Sequence, residues 1–150
     1  MIFSITILGD PVGKGRPRVT TRGGFAHAFT PKRTATWEGN AAYQMHLAWG
    51  VATPPLDEPL RVDIRAVAAR PKALLGKKHP DGRMWRPRRV DLDNVIKATL
   101  DATMNAGVVR DDAIFVLIRG ESLYTARNEG PRVEIEIRRI GCAGPDEYAE

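Results

Sequence analysis

The sequence is poor in the residues and segments that mark several common classes of protein. Its 150 residues include one cysteine and three histidines, so neither an intrachain disulfide nor a zinc site of cysteine and histidine is expected. No apolar run approaches the roughly 18 residues that a membrane-spanning helix requires. The opening segment, Met1–Asp10, lacks the basic leader and the small-residue cleavage site of a signal peptide. We therefore expect a cytoplasmic protein that does not enter a membrane.

Positive charge is in excess. The chain has 23 lysines and arginines against 18 aspartates and glutamates, a formal net charge of +5, and its sequence pI is about 9.7. This balance predicts an anionic partner, with nucleic acid the leading candidate. A hydrophobic content of 43% suffices for a core. The length predicts a single domain over residues 1–150, with a frayed tail at 141–150.

A basic, glycine-rich segment runs from Gly13 to Gly24 as GKGRPRVTTRGG. A nucleotide-binding P-loop needs four residues between its first glycine and the Gly-Lys pair, followed by Ser or Thr. Gly9 leaves only three residues before Gly13, and Gly15 follows the lysine, so no nucleotide cofactor is expected. The segment suits a flexible arm that contacts a sugar-phosphate backbone. A solvated loop without a ligand is the alternative.

Hydrophobic periodicity predicts a mixed α+β domain with the order β-α-β-α-β-β. The predicted strands are Ile2–Leu8, Leu60–Ala68, Ile114–Ile118 and Arg132–Ile140, and the predicted helices are Thr34–Trp49 and Asp93–Ala106. Thr34 or Thr36 is the expected cap of the first helix, with Gly50 at its end. The turn-forming residues Asn128–Pro131 predict that the last two strands pair as a hairpin.

A long basic loop separates the second strand from the second helix. Residues Arg70–Arg89 show no hydrophobic period and are rich in lysine, arginine, proline and glycine. Loops of this length in a small domain are usually functional or disordered. Because this one leads directly into Asp91, we expect it to contact the substrate and to be disordered without it.

The start of the second helix carries closely spaced carboxylates. Asp91 and Asp93 point the same way only if the chain is extended at Asp91, with Asp93 in the first helical turn. Asp111 and Asp112 follow the helix. Oxygen-only groups of this kind suit a hard divalent cation such as Mg²⁺. The alternative is that these aspartates only cap the helix and stabilise its dipole.

Lys97 and Asp101 lie on the same helix as Asp93, and the length of that helix limits where Asp112 can lie. Lys97 lies one turn beyond Asp93 on the same helix face, and Asp101 is the expected ion-pair partner of Lys97. The helix would be about 21 Å long, whereas the residues from Gly107 to Asp112 span at most about 16–18 Å. Asp112 therefore reaches the helix start only if the helix is shorter, if the chain doubles back tightly, or if a partner subunit supplies it.

The segment RRVDLDNVIKATLDATMNAGVVRDD closely resembles the signature of the RusA-type Holliday-junction resolvases. The opening GDPVGKGRPR and the segment Thr30–Lys32 resemble the phage and prophage branch of that family. The resemblance covers essentially the whole chain in element order. The chain departs from the family at Val108–Arg110, where the family is more aromatic, and in the length of the loop before Asp91.

The resemblance implies a Mg²⁺-dependent endonuclease, with Mn²⁺ as a substitute, that acts as a homodimer and nicks four-way DNA junctions symmetrically. It implies that Asp91, Asp93 and Asp112 bind the metal and act in catalysis, and that Lys97 is an essential catalytic lysine. The expected DNA-binding residues are Lys14, Arg16, Arg18, Arg33, Lys72, Lys77, Lys78, Arg86, Arg88 and Arg89. Two alternatives remain: a non-catalytic protein that binds junctions or DNA, and a nuclease that acts on other branched DNA.

Overall fold

The computed structural model describes residues 1–87 and 91–141, and within them the chain forms two α-helices and seven strands. The helices are α1 (Lys32–Trp49) and α2 (Leu92–Asn105). The strands are β1 (Phe3–Leu8), β2 (Arg18–Arg22), β3 (Phe25–Phe29), β4 (Leu60–Ala68), β5 (Met84–Trp85), β6 (Phe115–Tyr124) and β7 (Arg132–Arg139). The prediction of a mixed α+β domain is confirmed. Neither helix is long and apolar enough to cross a membrane.

Five strands form one mixed sheet in the order β1-β7-β4-β6-β5. Strands β4 and β6 run parallel, while β7 is antiparallel to both β1 and β4. The predicted hairpin between the last two strands is therefore wrong, because β4 lies between β6 and β7. Helix α2 provides the crossover that a parallel pair requires, so β6 takes one edge of β4 and β7 takes the other.

One face of the sheet packs against both helices. Val62, Ile64 and Ala66 of β4 are almost fully buried there, as their alternation predicted. From α1, Trp37, Ala41 and Met45 join this core; from α2, the side chains of Val95, Ala98, Thr99, Ala102 and Thr103 do so. Burial of this apolar stripe holds α2 in place, and every candidate carboxylate is attached to α2 or follows it closely.

Helix α2 approaches strand β6 closely at Gly120. A Cβ atom added there would lie 2.7 Å from Ile96 Cδ1 and 3.2 Å from Leu92 Cδ2. The absence of a side chain thus lets the first turns of α2 rest on the strand. The strand that was predicted to end at Ile118 continues to Tyr124. The prediction stopped early because Gly120 and the charged residues beside it interrupt the apolar pattern.

The segment predicted to be a flexible arm contains a β-hairpin. Strands β2 and β3 pair antiparallel as a separate two-stranded sheet. Gly23 and Gly24 join them with φ angles of 62° and 81°, the positive values that a two-residue type I′ turn requires. All ten residues of the two strands are exposed, so the hairpin stands clear of the core.

The basic loop before Asp91 is ordered over residues 70–87, contrary to the prediction of disorder. Arg70 is buried and donates hydrogen bonds to the carbonyl oxygens of Thr125 (3.0 Å) and Pro80 (2.7 Å). Arg127 donates from the other side to the carbonyl oxygen of His79, at 3.0 Å. The guanidinium groups of Arg70 and Arg127 thus bind backbone carbonyl oxygens of the loop. Arg88 and Arg89 lie outside the described residues, as does the tail from residue 142.

The face of the sheet away from the helices carries linked ion pairs. Arg83 contacts the carboxylates of both Glu129 and Glu134, each at 2.5 Å. Hydrogen bonds from Arg83 lower the pKa of Glu129 from 4.5 to about 2. Since the lowered pKa belongs to the folded state, this stabilisation is complete above pH 4.5 and is lost as the pH falls towards 2.

We predict that Glu129→Gln lowers the free energy of unfolding at pH 7 by about 1–3 kcal/mol, because it removes the charge that Arg83 binds. The difference from wild type should shrink as the pH falls from 4.5 to 2. Urea denaturation at several pH values measures this. Glu58→Gln, which affects an exposed pair with Arg139, is the control and should change little. A Glu129→Gln deficit that stays constant with pH would contradict the prediction.

Candidate active site

Asp91 occupies the N-cap position of α2 in extended backbone, with φ −57° and ψ 123°, as predicted. Within the described residues its carboxylate makes no capping hydrogen bond to a backbone N–H. Its contact is with the Asn94 side-chain amide, at 3.5 Å. Asp111 caps a different element, the short 3₁₀ helix Asp112–Ile114, by accepting a hydrogen bond of 2.8 Å from the N–H of Ala113. Asp91 thus occupies the cap position of α2 without making the capping hydrogen bond, whereas Asp111 makes such a bond to the 3₁₀ helix.

Asp93 and Lys97 form an ion pair on the exposed face of α2. Lys97 Nζ lies 3.1 Å from Asp93 Oδ2, and both side chains are more than half exposed. The expectation that Asp101 pairs with Lys97 is wrong, because Asp101 contacts Lys14. A carboxylate one turn before a lysine is the better-oriented helical pair, which explains why Lys97 selects Asp93.

The chain doubles back tightly after α2. The N–H of Gly107 donates to Met104 O (2.9 Å) and the N–H of Val108 to Thr103 O (3.2 Å), the pair of bonds that defines a Schellman motif. Gly107 has a φ of 73°, which glycine adopts without strain. The helix keeps its predicted length, so the first of the three geometric alternatives is not the one observed, and the chain reverses direction at Gly107.

This reversal brings Asp112 alongside α2 within the same chain. Asp112 lines a cavity of about 210 Å³ together with Lys97, Asp101 and Lys14. The short 3₁₀ helix Asp112–Ile114 begins at this point, and β6 follows it. Asp112 therefore lies beside the middle of α2, next to the lysine that pairs with Asp93.

Asp91 faces a second, larger cavity that is mainly basic. This groove has a volume of about 810 Å³, and its polar lining includes Asp91, Asn94, Lys14, Arg16, Arg18 and Arg33. Since Lys14 lines both cavities, the groove and the Asp112 cavity adjoin each other. Three of the arginines predicted to bind DNA thus lie in one groove with a predicted metal ligand.

The three aspartates do not yet form one ligand set. Within residues 1–87 and 91–141, no group of three or more histidine, cysteine, aspartate or glutamate side chains is arranged to hold a metal ion. Asp93 faces Lys97, and Asp91 and Asp112 line adjoining cavities. Their chemistry nevertheless fits a hard cation, since all three offer exposed carboxylate oxygens.

Lys14 lies between the two helices. It contacts the carboxylates of Asp101 on α2 and Glu38 on α1, and its backbone N–H donates to Asn94 O at 2.9 Å. Glu38 Oε1 and Asp101 Oδ2 are shielded from solvent, and both face the Lys14 ammonium group. Burial raises the pKa of Glu38, and the charge of Lys14 opposes that rise. The charge of Lys14 therefore offsets the partial burial of two carboxylates.

Thr34 on α1 holds the start of the basic segment Gly13–Gly24 by hydrogen bonds. It was expected to cap α1, but α1 begins at Lys32 with Pro31 as its N-cap. The buried Thr34 hydroxyl instead accepts a hydrogen bond from the N–H of Gly15 (3.1 Å) and donates to Gly13 O (3.2 Å). These contacts hold the start of the basic segment against both helices.

The remaining predicted DNA-binding residues belong to the loop before Asp91. Lys72, Lys77 and Lys78 are exposed on it. Arg86 lies over the Tyr124 ring at 5.9 Å from its centroid, and its backbone N–H donates to Ser122 O at 3.0 Å. Arg88 and Arg89 are in the part of the chain that is not described. The loop leads to the same end of α2 as the basic groove.

Two features of this region were missed in the sequence. The ion pairs of Lys14 with Glu38 and Asp101 had no signal, because they join three separate segments. The β2–β3 hairpin did have one, since Gly23–Gly24 separates two short runs rich in β-formers. That signal identifies Phe25 and Phe29 as part of the surface beside the groove.

Comparison with known proteins places the chain among the endodeoxyribonucleases, which are hydrolytic enzymes that cut DNA. The family model described as Endodeoxyribonuclease RusA matches residues 9–138, and the protein therefore belongs to the RusA family. Resolution of Holliday junctions is the nuclease activity that this family implies. The uncharacterized protein YqaN of Bacillus subtilis (strain 168) is similar, with 28% identity over 147 residues that cover 93% of this chain and 98% of YqaN.

We predict that Lys14→Met lowers the free energy of unfolding by about 1 kcal/mol at neutral pH, because two half-buried carboxylates lose a counter-charge that solvent partly screens. Without Lys14 the pKa of Glu38 should rise further, so protonation relieves the cost and the deficit should shrink towards pH 4. Chemical denaturation at pH 4 and pH 7 measures both effects.

Lys32→Met is the matched control, because it removes an exposed charge at the start of α1, the helix that carries Glu38. Little effect on stability is expected at either pH. An equal loss in Lys14→Met and Lys32→Met would show that the buried carboxylates do not depend on Lys14.

Proposed function

We propose that the protein is a Mg²⁺-dependent endonuclease that resolves four-way DNA junctions by paired, symmetric nicks. The observation that carries the proposal is that three features lie next to one another along the start and the middle of α2. These are the Asp93–Lys97 pair, the return of Asp112 to the same helix, and the basic groove that contains Asp91. Carboxylates can hold a divalent cation, and the surrounding lysines and arginines can bind phosphates, so the site suits a reaction on a phosphodiester.

Asp91, Asp93 and Asp112 are the residues that would hold the metal. When bound, Mg²⁺ supplies a water that ionises near neutral pH and a positive charge for the departing 3′ oxygen. The extended backbone at Asp91 leaves its carboxylate free of a helix-capping bond. Asp93 is supplied by the first turn of α2, and Asp112 by the segment that follows the chain reversal at Gly107. Side-chain rotation at exposed positions is enough to change where these carboxylates point.

Lys97 acts as the cation next to the reacting phosphate. In the free protein its ammonium group is held 3.1 Å from Asp93, which keeps it in the site before DNA arrives. With Asp93 as a metal ligand, the Lys97 ammonium group would be free to stabilise negative charge on the phosphate in the transition state. A lysine suits this role because its flexible stem lets a compact charge follow the phosphate.

The groove and the loop supply the DNA contacts. Arg16, Arg18 and Arg33 line the groove beside Asp91. On the loop side the contacts are assigned to Lys72, Lys77, Lys78, Arg86, Arg88 and Arg89. Such contacts recognise the position of phosphates, and hence the shape of a junction, more than base sequence. Lys14 stands apart from this set, since its charge is directed inward to Glu38 and Asp101.

Two matched nicks require two active sites related by symmetry, which a homodimer provides. The outer edge of β6 supports such a pairing. Among the described residues β5 covers only Leu123 and Tyr124 of that edge. Beyond it, Val116 is 62% exposed and Ile118 44% exposed. An open strand with apolar side chains suits addition of a strand from a second copy.

The catalytic proposal predicts that Asp91→Asn, Asp93→Asn and Asp112→Asn each lower junction cleavage by about 100-fold or more. Junction binding should persist, because loss of a carboxylate removes repulsion and no basic contact. Nicking of a synthetic mobile four-way junction in Mg²⁺ and a gel-shift assay in EDTA measure the two properties. Asp111→Asn is the control, since an asparagine oxygen can still accept the capping bond at Ala113.

Wild-type rates in the Asp91→Asn variant would contradict the catalytic assignment. The two alternatives have separate outcomes in the same assay. Binding without Mg²⁺-dependent cleavage by the wild-type protein would identify a DNA-binding protein. Equal cleavage of junctions, forks and flaps would identify a nuclease for branched DNA in general.

The dimer proposal predicts that Ile118→Lys converts the protein to monomers in sedimentation velocity, because the open edge of β6 would then bury a charge. Val51→Lys places the same charge at an exposed apolar position elsewhere, where the side chain is 76% exposed. That control should remain dimeric. A dimeric Ile118→Lys protein, or a monomeric wild type, would contradict this interface.

A further inference from the structure

The β2–β3 hairpin has two different faces. Directly paired residues of an antiparallel ladder lie on the same face. The register pairs Arg18 with Phe29, Thr20 with His27, and Arg22 with Phe25. These six side chains therefore share one face, where two arginines on β2 lie opposite two phenylalanines on β3. Val19, Thr21, Ala26 and Ala28 form the other face, which is small and uncharged.

The basic and aromatic face is open to solvent and carries charge of one sign. Phe25 is 73% exposed and Phe29 44% exposed, although both rings are large enough to contribute to a core. The segment 18–29 contains no acidic residue, so its arginines have no partner within the hairpin. Exposed aromatic rings interleaved with arginines are the pattern used to bind nucleic acid by stacking and by phosphate contact.

The hairpin continues the basic groove. Arg18 lines the groove that contains Asp91, and Phe29 is its direct partner across the hairpin. Arg22 and Phe25 lie at the turn, four residues further along each strand, or about 13 Å away. A DNA strand that follows the groove past Asp91 would therefore meet the arginine and aromatic pairs in turn.

We propose that this face of the hairpin is the element that distinguishes branched from continuous DNA. The proposal rests on the function proposed above. Arg18 and Arg22 bind phosphates of any duplex, whereas Phe25 and Phe29 stack on bases. In a continuous duplex both faces of each base are covered by neighbouring pairs. At a branch point the stack is interrupted, so the rings have base surfaces to cover.

Measured affinities for a four-way junction and for a linear duplex of the same arm sequence, both in EDTA to prevent cleavage, test the proposal. Phe25→Ala and Phe29→Ala should each weaken junction binding by about 10-fold, the size of one lost stacking contact. Duplex binding should be unchanged. Arg22→Met should weaken the binding of both DNA ligands. The slope of log binding constant against log salt concentration should become shallower by about 0.9 for each.

Val19→Ala is the matched control, since Val19 is 65% exposed on the opposite face of the same strand, and it should leave both affinities unchanged. A second readout uses 2-aminopurine placed beside the crossover. Its fluorescence should change when the wild type binds and should not change with the Phe25→Ala/Phe29→Ala protein.

The outcomes separate this inference from the proposed function. If the wild type prefers the junction and the doubly substituted protein retains that preference, the inference is overturned while the nuclease assignment stands. If the substitutions change sedimentation and leave DNA binding intact, the hairpin contacts a second copy instead, which also overturns it. A wild type without junction preference would overturn the inference and the junction-specific part of the function together.

Discussion

Helix α2 packs against α1 and against the central strands, and the position of every candidate catalytic group depends on these contacts. Its buried side chains, among them Val95, Thr99 and Thr103, fix the helix axis. Gly120 lets its first turns lie close to β6. Asp93 and Lys97 then project from the opposite face, which is exposed. A helix held so firmly along one side can present charged groups to a ligand without losing its place.

The charges around this helix are divided between structure and function by burial. Lys14, although part of a basic segment, is used internally, where it compensates Glu38 and Asp101. The backbone N–H of Lys14 also donates to Asn94 O near the start of α2, so that Arg16 and Arg18 lie beside Asp91 in one groove. A half-buried ion pair of this kind adds less to stability than it does to geometry. The same interaction therefore joins the core to the surface on which DNA is proposed to lie.

Local patterns in the sequence were sufficient for the elements and insufficient for their pairing. The alternation in Leu60–Ala68 predicted β4 with its bounds, and the helical spacing after Asp91 predicted α2. The turn at Asn128–Pro131 suggested a hairpin, yet β7 pairs with β4 and β1, because strand order depends on contacts distant in sequence. Asp101 was misassigned for the same reason, since its partner Lys14 lies far away in the chain.

The central claim is that Asp91, Asp93 and Asp112 are gathered to bind a divalent cation for DNA cleavage, and the position of that cation tests it most directly. Crystals of the protein soaked in Mn²⁺ give an anomalous difference map in which the ion is located without reference to activity. The account predicts a peak within about 2–2.5 Å of carboxylate oxygens from these aspartates. A map with no peak there, or with Mn²⁺ bound only elsewhere on the surface, would contradict it.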